Sequence, residues 1–230
     1  MIQRVVRLMA LVVCVLLTAC TTSQTALSPT VDEPDARLLN LADAYRIDGR
    51  YDQARRILAS LQAAHPESKA VQLQTAALLA AQGDLQAAEA MYAKLVPGDL
   101  DASLSYARLL QAANRPAECV ASLTDAGKSV LYERRDDALV LRARCLMQLV
   151  QFEAAQTDLE TALRIQPQHV VARVQQIRVI ALTGQFDLAE IKMSELARDR
   201  RLSRPELDRL QTEITGIRGR FEILGAGFGT

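Results

Sequence analysis

The chain has 230 residues, half of them hydrophobic, and sets 27 Lys and Arg against 27 Asp and Glu. Aromatics make up 4%, Trp is absent and Gly is scarce at ten residues. The length suits one ordinary domain, the composition favours helix throughout, and the even charge offers no footprint for nucleic acid or anionic lipid.

In chain order, Arg4 and Arg7 precede an apolar run from Leu8 to Leu17, which ends in "LLTAC". The run is too short to span a bilayer and matches a secretory signal core. Ala19 sits immediately before Cys20, with Leu17 three residues ahead of it. This resembles the lipobox of bacterial lipoproteins, which implies a signal peptide over residues 1–19 and covalent lipid on Cys20. The alternative is an ordinary signal peptide or anchor with a chance Cys. One acyl chain holds a protein only marginally at about 0.8 kcal/mol per methylene, and two or three anchor it firmly. Thr21 follows Cys20 where an Asp would signal inner-membrane retention, so the resemblance implies the outer membrane with the domain facing the periplasm. Losing residues 1–19 leaves 25 basic against 27 acidic side chains. From Cys20 to Pro34 the chain is polar and without periodicity, and reads as a flexible tether reaching about 20 Å.

The segment "LADAYRIDGRYDQA" (Leu41–Ala54) then recurs as "TAALLAAQGDLQAA" (Thr75–Ala88), "YARLLQAANRPAEC" (Tyr106–Cys119), "RARCLMQLVQFEAA" (Arg142–Ala155) and "QIRVIALTGQFDLA" (Gln176–Ala189). Each copy is a helix, a short turn and a second helix, too short to bury its apolar face alone. Ala42, Ala76, Ala107 and Ala143 hold a small position in the first helix, and Ala54, Ala88, Ala155 and Ala189 one in the second. Tyr51, Leu85, Phe152 and Phe186 hold a large apolar position, and Pro66 and Pro167 close copies one and four. The pattern resembles the tetratricopeptide repeat. The fold this implies is all-α: a right-handed superhelical solenoid of about five helix-turn-helix repeats plus a C-terminal capping helix, over residues 35–218.

Some positions depart from the pattern. Ile177 replaces the small residue in copy five, which predicts an outward shift or a looser repeat. Val150 stands where copies one, two and five have Gly, and since the left-handed conformation disfavours Val, a different turn is expected there. Copy two is shortened near "VPGD" and copy three lengthened through "TDAGKSVLYERRDD". After copy five, Ser203 and Glu206 form a capping box. Leu207, Leu210, Ile214 and Ile217 line one face of a final helix that covers the end of the stack. Residues 219–230 have no helical period and read as a flexible tail.

Catalytic chemistry finds no constellation in this chain. His65 and His169 lie in inter-repeat turns without a second ligand at metal spacing. "GAGFGT" lacks the following helix a phosphate loop needs. Asp136 and Asp137 read as solvated. No enzyme activity, metal, cofactor, small-molecule substrate or nucleic acid is expected. Cys119 lies on the second helix of copy three and Cys145 on the first helix of copy four, and those two helices should be neighbours in the stack. A disulfide is possible in an oxidising compartment, but two small buried thiols are the preferred reading.

In the tetratricopeptide family the first helices line a concave wall that binds an extended peptide or a partner helix. Carried over here, one column is Leu39, Leu73, Leu104, Val140 and Val174. Four residues on come Asp43, Ala77, Arg108, Arg144 and Arg178, and the next turn adds Arg46, Ala80, Gln111, Met147 and Ala181. An aliphatic stripe beside guanidinium groups suits a partner with apolar side chains and carboxylates. The alternative is that the stripe packs inside the superhelix and the Arg ladder pairs with Asp101 and Asp137. Short chain, lipobox and repeats together resemble the lipoproteins of tight-adherence (Flp) pili and the type IV pilus pilotins. That implies a non-enzymatic scaffold or assembly factor for a pilus or secretion machine, with a secretin or pilus component as partner. Adaptor roles for peptidoglycan enzymes or outer-membrane protein assembly are the alternative.

Overall fold

The computed structural model describes residues 36–199 and 201–226, with side chains as far as residue 223. The signal peptide, Cys20 with its tether, and the last four residues of the expected tail lie outside the described residues.

Twelve helices occur among the described residues, and no strand. The first helices of the five pairs are α1 (Ala36–Ile47), α3 (Lys69–Ala81), α5 (Leu100–Ala112), α8 (Arg135–Gln148) and α10 (Val170–Leu182). Their second helices are α2 (Tyr51–Ala64), α4 (Leu85–Leu95), the broken pair α6 (Pro116–Ser122) and α7 (Thr124–Lys128), α9 (Phe152–Ile165) and α11 (Phe186–Arg198). The last helix is α12 (Arg204–Ala226). It runs through residues 219–226, where the sequence predicts a tail, so the tail reading is corrected over that stretch.

The small residues explain the packing. Ala42, Ala76, Ala107 and Ala143, and Ala54, Ala88, Ala155 and Ala189, are all buried. An alanine at a helix crossing lets two backbones approach closely, and larger neighbours such as Leu58, Leu110, Leu159 and Leu196 fill the flanks. Each such leucine contributes about 1.5–3 kcal/mol by leaving water. Each first helix packs on the next one, from α1 through α12. The second helices pack only on first helices, and those of different pairs stay apart. The first helices are therefore the crowded inner layer, and the second helices the splayed outer one.

Ile177 does not loosen copy five. It is fully buried among Ile180, Ala181, Ala189, Met193 and residues of α12. Leu210, Ile214 and Ile217 of α12 close that cluster, with Leu207 half-buried. The Glu206 carboxylate accepts from the Ser203 hydroxyl at 2.6 Å and the Ser203 N–H at 2.8 Å. These two bonds hold its pKa below the usual carboxylate range, the hydroxyl first.

Val150 also corrects the sequence reading. Its φ is +60°, beside +73° at Gly49, +86° at Gly83, +56° at Asn114 and +79° at Gly184. The closing bond is the same in kind: Gln151 N–H to Leu146 O at 2.9 Å matches Arg50 N–H to Tyr45 O at 2.8 Å. The repeat imposes its turn on a β-branched residue whose side chain finds space only because it points into solvent. A left-handed non-Gly residue costs about 1–2 kcal/mol, part of which Gly gives back as chain entropy. Val150→Gly is therefore expected to raise stability by about 1 kcal/mol, read as a later urea midpoint at unchanged slope.

Candidate partner-binding groove

The inner wall carries two adjoining depressions. The larger, about 640 Å³, is lined by Asp43, Arg46, Leu73, Ala77 and Arg108, with Asp101 and Arg134 at its edge. The smaller, about 280 Å³, is lined by Arg144, Met147 and Arg178, with Gln111, Gln148 and Gln175. Eight of the predicted groove residues thus come together on one wall: Asp43, Ala77, Arg108, Arg144 and Arg178 share one register on successive parallel helices, with Arg46 and Met147 one turn on and Leu73 one turn before.

The aliphatic column does not share that wall. Leu104 is fully buried beside Leu110, Cys119 and Leu123, and Val140 is buried beside Leu159 and Ala162. Leu39 and Val174 pack against their local cores, while Leu73 lines the larger depression. Ala181 is also buried in the core. Four residues advance a helix by about 400°, so the two columns differ by about 40°. On a wall this narrow that rotation separates core from solvent. The apolar part of the groove is made instead by Ala77, Ala80, Ala81 and Ala112, with Leu109 and Tyr92.

Tyr92 is the residue that sequence reading missed. It belongs to α4, an outer helix, yet its ring reaches the groove between α3 and α5, where alanines leave a gap. The residue is 2% exposed, and its ring lies 5.9 Å from that of Tyr106. Burial pushes the Tyr92 phenol up to about 12, against a pull from nearby Arg46 and Arg108. The available signal was the run of alanines in "TAALLAAQGD" facing a tyrosine where copy one has Leu58.

The Arg ladder does not pair with Asp101 and Asp137. Asp101 accepts from the Tyr132 hydroxyl at 2.8 Å and pairs with Arg134 at 3.4 Å. Asp137 takes Arg134 and His169, both at 3.3 Å. Asp137 is thus an ion-pair partner rather than a merely solvated carboxylate. His169 also caps α10, its Nδ1 accepting the Ala172 N–H at 3.3 Å. Arg178 instead grips Glu213 of α12 through Nε and Nη2 at 2.9–3.0 Å. Arg46 pairs with Asp43 at 2.7 Å. Arg108 and Arg144 have no carboxylate partner among the described residues. The Arg144 guanidinium has its pKa lowered by partial desolvation and then by repulsion from Arg178 and Arg108. The middle of the groove is therefore cationic, between two ends already neutralised.

Cys119 and Cys145 are joined in a disulfide, with Cα atoms 6.3 Å apart and both residues fully buried. The preferred reading of two free thiols is corrected: the repeat stacking brings the two positions within bonding reach. No group of His, Cys, Asp and Glu among the described residues is arranged to hold a metal, and no described helix is long and apolar enough to cross a membrane.

Residues 136–169, which form copy four, match the family model of the tetratricopeptide repeat. Comparison with curated protein sequences finds no match. Among solved structures, PilW, described as a widely conserved type IV pilus biogenesis factor, is similar with a TM-score of 0.70. It is 21% identical, and the likeness covers 80% of this chain and 85% of that one. PilF of Pseudomonas aeruginosa gives 0.65 at 15% identity, over 82% and 88% of the two chains. Yeast Tom70 gives 0.65 at 17% identity, over 81% of this chain and 40% of that one. At these identities the likeness establishes the fold, a superhelical tetratricopeptide-repeat solenoid.

Proposed function

We propose that this chain is a non-enzymatic scaffold that holds another envelope protein in its inner-wall groove during assembly of a pilus or secretion machine. A secretin or pilus component is the partner, and lipid on Cys20 anchors the chain to the outer membrane with the repeats in the periplasm. The observation that carries the reading is the groove itself: alanines and Tyr92 leave an open floor, with Arg108 and Arg144 unpartnered beside it. That surface suits a polypeptide. The likeness to PilW, a type IV pilus biogenesis factor, directs the choice of machine.

A photo-crosslinking residue at Ala77 of the groove, compared with one at exposed Ala154 on α9, tests the assignment in cells. The expected result is an adduct with a secretin or pilus component from Ala77 alone. Recovery of peptidoglycan hydrolases would favour the adaptor role, and equal adducts from both positions would remove the groove from the account. Labelled fatty acid should enter the chain and be lost in Cys20→Ser; persistent labelling in that variant would refute the anchor.

A further inference from the structure

The Arg column has a sixth member. Glu213 follows Arg178 by 35 residues, close to the repeat length. Helix α12 packs on α10 as each first helix packs on its predecessor. Glu213 therefore stands where a further rung would be, and its carboxylate takes the Arg178 guanidinium side-on, through both Nε and Nη2. At the other end Asp43 takes Arg46 in the same way, through Nε at 3.0 Å and Nη2 at 2.7 Å. The chain thus fills the outer guanidiniums with its own carboxylates and leaves Arg108 and Arg144 for an incoming one.

Resting on the groove reading above, we infer that the groove selects an extended acidic segment of its partner, gripping carboxylates at Arg108 and Arg144, and that Glu213 occupies the third guanidinium and so limits how far the acidic stretch extends. The spacing defines the segment. Packed helices lie about 8–10 Å apart. A polyproline-II strand returns a side chain to the same face every third residue, about 9 Å on. An acidic residue at every third position therefore meets successive rungs, and the stretch of the segment that leads up to the Arg108 rung crosses the alanine floor at Ala77 and Ala80 of α3. The smaller depression, about 280 Å³, suits a few residues of such a strand better than a helix about 10–12 Å across.

The test uses the full chain and a fluorescent twelve-residue peptide with Glu at every third position and Pro or Ala between, against the same peptide with Gln. The Glu peptide is expected to bind and the Gln peptide to bind at least tenfold more weakly. Arg108→Gln and Arg144→Gln should each cost about tenfold, the worth of one charge-assisted bond, with unchanged helical circular dichroism. Glu213→Ala should tighten binding about threefold by freeing a partly exposed Arg178. Glu153→Ala, which removes the same charge from an exposed position on α9, should not. The inference is overturned by equal binding of the two peptides, by no binding of either, or by a Glu213→Ala effect no larger than that of Glu153→Ala. It is also overturned if inorganic polyphosphate displaces the peptide at equal charge concentration, which would mark a general anion patch. The cellular crosslink from Ala77 does not depend on acidity, so its failure and the failure of the peptide contrast are separately readable.

Discussion

Asp158→Asn is expected to destabilise the fold by about 3 kcal/mol, because it leaves an arginine charge enclosed without its counter-ion. Asp158 lies on α9 and Arg142 on α8, and they meet through Nε–Oδ2 at 2.7 Å and Nη2–Oδ1 at 2.6 Å. Their side chains are only 7% and 18% exposed. The bond to Asp158 raises the Arg142 pKa against the opposing pull of desolvation. Arg142 also has little room to swing away. A Cβ added at Gly127 of α7 would stand 2.8 Å from its Nη1, so glycine there is what lets α7 close over the pair. Urea unfolding followed by circular dichroism measures the loss, and a change under 1 kcal/mol would show that water reaches the guanidinium. Replacing both partners, with Arg142→Met and Asp158→Leu, should recover most of the stability, since an apolar pair of similar volume carries no desolvation cost.

Loss of the Cys119–Cys145 bond is expected to cost a similar amount, about 3.5 kcal/mol, the chain-entropy value for closing a loop of this size. The two cysteines are 26 residues apart and join α6 of copy three to α8 of copy four. Cys119→Ala restores the residue that the other four copies hold at this position, so with Cys145→Ala the comparison isolates the bond with little change of packing. Reductant should lower the urea midpoint of the parent chain to near that of the double variant and leave the double variant unmoved. A parent midpoint indifferent to reductant would mean the bond adds nothing. Because Arg142 and Cys145 share α8, the two losses should not add when combined.

The repeat architecture was legible because its determinants are local and recurrent: an alanine at most helix crossings, a Gly or Asn at four of the five turns, and a large apolar residue two positions after the turn in four copies. The Arg column was legible for the same reason, since residues at one register on stacked helices share a face. What failed was finer than the register. The aliphatic column lay about 40° from the arginines, and Leu104 and Val140 turned inward. Tyr92 was missed because its arrival in the groove depends on what the intervening helix lacks. Glu213 was missed because α12 read as a cap, when continuing the column one more repeat would have reached it. Val150 shows the repeat overruling a residue's own preference. The cysteine pair carries the same sequence signal bonded or free, and only the stacking distance decides it.

The separation of the outer helices has one more consequence. Because α2, α4, α6, α9 and α11 pack on first helices and not on one another across pairs, a change of length in one is not passed to the next. Copy three displays this: its second helix is broken at Leu123 and continues into an extra segment, yet Arg108 and Arg144 on the first helices either side of it both line the inner wall. The periphery can thus accept insertions and deletions as lineages diverge, while the inner row of side chains stays in step.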